Sequence, residues 1–119
     1  MDSILTSVKK MLGIEETYTH FDPELVMHIN SVLMVLTQMG VGPSEGFAIA
    51  DATSKWTDFI SDLSKLEAVK TYTALKVRLI FDPPANGSAI NAMNSLISEF
   101  EWRLYAEADG IIPNDQEVV

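Results

Sequence analysis

The sequence predicts a mostly α-helical domain: a small bundle of about four to five helices with one extended loop and a non-helical C-terminal tail. Three observations predict it. Apolar residues recur three and four positions apart through several long windows, the period of a helix with one buried face. Gly and Pro fall between those windows, where they punctuate the chain. The alternating pattern of a strand is confined to Phe47-Ala48-Ile49-Ala50, which allows one short extended segment inside the loop.

The first helix is expected from Asp2 to Leu12, capped by Asp2 or Ser3, with Ile4, Leu5, Val8, Met11 and Leu12 on one face. Gly13 ends it, because glycine tolerates the left-handed conformation that closes a helix. The second helix starts at Asp22 as N-cap with Pro23 in the first helical position, where a missing N–H costs nothing. It runs to about Met39 before Gly40. Leu25, Ile29, Val32, Leu33, Leu36 and Met39 form its stripe, and Val26, Met27, Met34 and Val35 widen it, so this helix belongs at the centre of a core or an assembly.

Gly40, Gly42, Pro43 and Gly46 mark a loop over residues 40–54. Thr53 or Ser54 then caps a short helix carrying Trp56, Phe59, Ile60 and Leu63, with Trp56 and Phe59 as core anchors. Ser64 and Glu67 have capping-box spacing and open a helix to about Phe81, with Leu66, Val69, Thr73, Leu75, Leu79 and Ile80 available inward. Asp82-Pro83-Pro84 stops it, since two prolines cannot continue a helix. Asn86-Gly87-Ser88 is a turn and cap for a last helix from about Ala89 to Ala108, striped by Ile90, Met93, Ile97, Phe100 and Leu104. Trp102 and Tyr105 fall off that stripe. Residues 1–109 thus form one helical domain, and residues 110–119 a tail ordered only on a partner.

Composition narrows the function. A chain of 119 residues fits one domain. The 47% hydrophobic content argues against wholesale disorder. The absence of cysteine removes disulfides, thiolate nucleophiles and thiolate metal sites. The N-terminus lacks a secretory pattern, and the longest apolar stretch, Val32 to Leu36, is far short of the roughly 20 residues a membrane helix needs, so a soluble protein made in the cytoplasm is expected. A net charge of −9 with only one adjacent basic pair, Lys9-Lys10, disfavours DNA reading, which needs clustered cations.

No nucleophile elbow, P-loop or dinucleotide fingerprint occurs, so no catalytic residue is assigned and no enzyme is expected. His20, Glu24 and His28 lack the spacing of a metal motif, and neither metal nor cofactor is expected.

Two segments carry a resemblance. Lys76-Val77-Arg78-Leu79-Ile80-Phe81-Asp82-Pro83-Pro84, followed by Ser98-Glu99-Phe100-Glu101-Trp102-Arg103-Leu104, resembles the head–tail connector proteins of tailed bacteriophages. Tyr18-Thr19-His20-Phe21-Asp22, His28-Ile29-Asn30 and Gly40-Val41-Gly42-Pro43 leading to Gly46-Phe47 also look like that family, in the same order along the chain. The resemblance covers about residues 1–108. It implies a virion structural protein at the head–tail junction (neck), made in the host cytoplasm. Such an adaptor forms a dodecamer-like homo-oligomeric ring under the portal protein, completes the head, extends the DNA channel and docks the next neck or tail protein. DNA would pass through without specific binding, and no membrane is involved. The alternative is a cytosolic helical protein-binding or regulatory module.

Within this reading, Trp102, Tyr105, Arg78, Arg103, Glu101 and Phe47 are candidate subunit-interface residues. Trp and Arg are enriched at interface hot spots. Arg78 and Arg103 could pair with Glu99 or Glu101 across helices or subunits. The helix around Trp102 and the loop 40–50 are the two candidate patches. Ile111, Ile112, Pro113, Val118 and Val119 are the candidate portal-binding tail, because a purely solvated tail has little reason to carry them.

Overall fold

The computed structural model describes residues 3–108. It contains five helices, α1 (Ile4–Met11), α2 (Asp22–Gln38), α3 (Trp56–Phe59), α4 (Leu63–Phe81) and α5 (Gly87–Ala108), and no named strand among the described residues. Residues 110–119, expected as a tail, lie outside that range.

Helix α4 is the hub. It packs against α1, α2 and α5, while α5 packs chiefly on α4 alone. The core is built from Ile4, Leu5 and Val8 of α1, Leu25, Ile29, Val32, Leu33 and Leu36 of α2, and Leu66, Val69, Tyr72 and Val77 of α4, all buried. Trp56 and Phe59 of α3 are buried among them, as expected. The Trp56 indole N–H donates to Ser7 Oγ at 3.0 Å, which satisfies the ring's one polar atom inside the core.

Both glycine stops act as expected. After α1, Gly13 N–H donates to Lys10 O (3.1 Å) and Ile14 N–H to Lys9 O (2.8 Å). After α2, Gly40 N–H donates to Thr37 O (3.0 Å) and Val41 N–H to Leu36 O (2.9 Å). Both are Schellman closures, with an apolar residue following each glycine.

The helix starts differ from the sequence reading. Asp22 is the first residue of α2, not its cap; Phe21 holds the cap position without a side-chain bond. The Asp22 carboxylate is drawn to Lys9 instead, at 2.9 Å from Nζ, in an ion pair whose approach is not that of a standard hydrogen bond. Ser64 does not open α4. Asp62 does, accepting from Ser64 N–H (3.0 Å) and Ser64 Oγ (2.6 Å). That pair of bonds holds the Asp62 carboxyl below its ordinary value, the Ser64 hydroxyl contributing most. Thr53 turns back to Asp51, so α3 starts after Lys55, whose N–H donates to Asp58 (2.8 Å). Helix α3 is one turn only; Ile60 is extended and Leu63 is exposed at the start of α4.

Three apolar positions also depart from expectation. Met11 and Ile80 are exposed rather than inward, and Tyr72, absent from the expected stripe, is buried. Phe47 to Ala50 form no strand. The Asn30 side chain holds this segment instead, as described below.

Lys9 is the least expected core residue. It is only 2% exposed, and its ammonium donates to Glu16 O (2.9 Å) and Tyr18 O (2.7 Å) besides meeting Asp22. Two carbonyl hydrogen bonds and the Asp22 carboxylate at 2.9 Å compensate the buried charge. Lys9 thereby pins the whole connection between α1 and α2.

Candidate functional site

With α5 resting on α4, its inner line is Ile97 and Leu104, buried, with Ile90, Met93 and Phe100 half-buried. Trp102, 55% exposed, and Tyr105 lie about 60° apart on its outer side, while Leu96 is exposed on the opposite flank, about 180° round the helix from Tyr105. Exposed Trp and Tyr side chains make this side of α5 a candidate interaction surface.

The charged residues near them divide by helix face. Arg103 pairs with Glu99 along α5, Nη2 to Oε2 at 3.1 Å and Nε at 3.2 Å. Glu101 turns inward, accepting from the Tyr72 hydroxyl at 2.8 Å and lying 3.6 Å from Lys76 Nζ. Burial drives the Tyr72 phenol well above its ordinary value of 10.0, and the bond to Glu101 adds to the rise. Within the subunit, Arg78 pairs with neither glutamate among the described residues. Two positions on a helix are about 200° apart, so Lys76 faces Glu101 while Arg78 points elsewhere.

A second apolar surface lies on α2 and the following loop. Met27 and Met34, seven residues apart and so on one line, are both exposed. Beside Met34 is a depression of about 520 Å³ lined also by Asn30, Thr37, Phe47 and Ala48. Phe47 is half-buried, its ring 5.4 Å from that of Phe59, so it forms the floor of this surface rather than a protruding anchor.

The loop keeps its shape through two contacts. Asn30 Nδ2 donates to Ile49 O (2.9 Å) and Ile49 N–H donates to Asn30 Oδ1 (2.8 Å). Gly42, at φ +86°, brings its backbone against the Phe59 ring, where an added Cβ would sit 2.5 Å from Cε1. Only glycine fits such a position.

His28 Nε2 lies 3.3 Å from Glu24 Oε2 on the α2 surface, and His20 stacks edge-on against Phe21, which meets Phe81 in turn. No group of three or more metal-capable side chains occurs among the described residues. Among the described residues no helix is long and apolar enough to cross a membrane. Ile111, Ile112, Pro113, Val118 and Val119 lie outside the described residues. The sequence reading missed Asn30 and the outward Met27–Met34 line; the latter's signal was a helix apolar on more than one face.

A family model described as phage connector protein matches residues 4–110. Neither a curated protein nor a solved structure matches the chain at a significant level.

Proposed function

The chain belongs to the phage connector protein family, and on that premise we propose that it is an adaptor subunit of a homo-oligomeric ring at the head–tail junction. Connector proteins are structural parts of a phage particle, and the activity asked of this chain is assembly. In the proposed ring the subunit sits under the portal, lengthens the DNA channel and presents a surface to the next neck or tail protein.

The observation that carries this reading is the pair of apolar surfaces on different elements. One is Met27, Met34 and Phe47 on α2 and its loop; the other is Trp102 and Tyr105 on α5. Helices α2 and α5 both pack on α4, which sets the two surfaces apart. A cyclic ring needs two different patches per subunit, each meeting the other on a neighbour. Arg103 and Glu99 beside Trp102 would set the register of that contact more than its strength.

Passage of DNA without specific binding fits the charge distribution. Of the eight Lys and Arg residues, Lys9, Lys65, Lys70, Lys76 and Arg103 already sit beside carboxylates. Few cations are left to grip phosphates.

Labelling the protein in tailed virions and imaging by electron microscopy tests the reading. Signal at the neck is the expected result. Absence from virions would overturn it and favour the cytosolic binding module.

A further inference from the structure

A groove of about 490 Å³ opens where α1, α4 and α5 meet, lined by Met11, Leu12, Leu75, Pro84 and Met93 with Arg78 among them. Its lining is almost wholly apolar, yet it holds an arginine whose Nε is buried without a hydrogen-bond partner among the described residues. Arg78 is set apart from the other cations. Lys10 and Lys55 are exposed, and the remaining five have carboxylates beside them. A partly desolvated guanidinium in an apolar wall calls for an anion brought by an apolar ligand.

This chain carries a segment of that chemistry. Residues 109–119 include Ile111, Ile112, Pro113, Val118 and Val119, the acids Asp109, Asp115 and Glu117, and no Lys or Arg. We propose that Ile111 and Ile112 of a second copy seat in this groove and that Asp115 of the same segment meets Arg78. The inference rests on the oligomeric reading above and names one contact between neighbours within it.

Reach decides between the chain's own segment and a neighbour's. Met93 lies fifteen residues before Ala108 on α5, about 22 Å along the axis at 1.5 Å per residue. Ile112 lies four residues beyond Ala108, and four extended residues span at most about 14 Å. While α5 is intact, a chain cannot return its own Ile111 and Ile112 to the groove; a neighbour has no such limit. Asp115 follows Ile112 by three residues, about 10 Å extended, which lets the isoleucines take the apolar wall and the carboxylate reach the guanidinium.

The chain has no cysteine, so paired single substitutions test the contact cleanly. Full-length Met93→Cys and Ile112→Cys chains, one carrying a mass tag, are mixed and oxidised, with sedimentation and circular dichroism run on each. The expected product is a disulfide dimer holding one chain of each kind. Pairing Ile112→Cys with Lys55→Cys, an exposed position bridged to Ser3 at the end of α1 away from the groove, gives only background. Adding Arg78→Glu to the Met93→Cys chain cuts the mixed dimer to that background, and adding Asp115→Arg to the Ile112→Cys chain restores it. Oligomers with no mixed dimer above background would overturn the groove contact and leave the ring reading intact. Monomers with no mixed dimer would overturn both. An internal disulfide within a monomer carrying both cysteines would overturn the second-copy assignment.

Discussion

The carboxamide of Asn30 grips the peptide unit of Ile49 from both sides, donating to its carbonyl at 2.9 Å and accepting from its N–H at 2.8 Å. One side chain on α2 thus supplies the two bonds that a neighbouring strand would otherwise give. Ile49 can then bury its side chain, 4% exposed, while its backbone stays satisfied. Replacing Asn30 with Ala leaves both backbone groups without those partners. The expected loss is about 2 kcal/mol in chemical denaturation, with faster hydrogen exchange at the Ile49 amide. Asn30→Asp keeps the acceptor and loses the donor, so it falls between wild type and Asn30→Ala.

Gly42 and Gly46 make an internal comparison. Both have positive φ, but a Cβ on Gly42 collides with Phe59 while one on Gly46 meets nothing within 4 Å. Gly46→Ala is expected to cost about 1 kcal/mol from backbone strain alone. Gly42→Ala adds displacement of a buried ring and is expected to cost more than about 2 kcal/mol. Equal thermal shifts would show that Phe59 yields without cost.

Tyr72 gives the fold an alkaline limit. Its phenol is raised by burial first and by the Glu101 bond second. A raised value means the neutral form is favoured in the folded state. Its contribution is complete below the unfolded value near 10 and is lost as pH climbs from there toward the folded value. Denaturation followed from pH 9 to 11 should show this loss. Tyr72→Phe removes the titrating group and flattens that part of the profile, at a cost of about 1 kcal/mol at neutral pH for the lost bond.

Trp102 is expected to matter to assembly and not to the subunit. Trp102→Ala should weaken self-association by about 2 kcal/mol or more, read by sedimentation across a concentration series. The monomer's Tm should hold, because the ring lies on the outer side of α5. A fall in Tm with unchanged association would place Trp102 in the subunit's own stability.

Much of the architecture was legible because helix burial repeats locally. The α2 stripe from Leu25 to Leu36, the stops at Gly13 and Gly40 and the break at Asp82-Pro83-Pro84 each need only a few consecutive residues to be recognised. Helix starts were less legible. Asp62 and Ser64 compete for one cap, and Asp22 is diverted by Lys9, a partner thirteen positions away. The polar contacts that shape the surfaces were hidden altogether. Asn30 with Ile49 and Tyr72 with Glu101 join residues nineteen and twenty-nine apart, and nothing in either neighbourhood announces the other. Lys9 and Lys10 read only as one adjacent basic pair, because spacing cannot tell which of two neighbouring lysines turns inward.

That buried lysine also makes the protein report on itself. The Lys9 ammonium lies among three oxygens and is shielded from water, so an acylating reagent cannot reach a free amine there. The exposed Lys10 next to it has no such shelter. In a timed acetylation read by mass spectrometry, Lys10 fills at the speed of the reagent, and Lys9 fills only as often as the 12–21 connection lifts away. The ratio of two adjacent residues is therefore a clock for local opening, internally normalised.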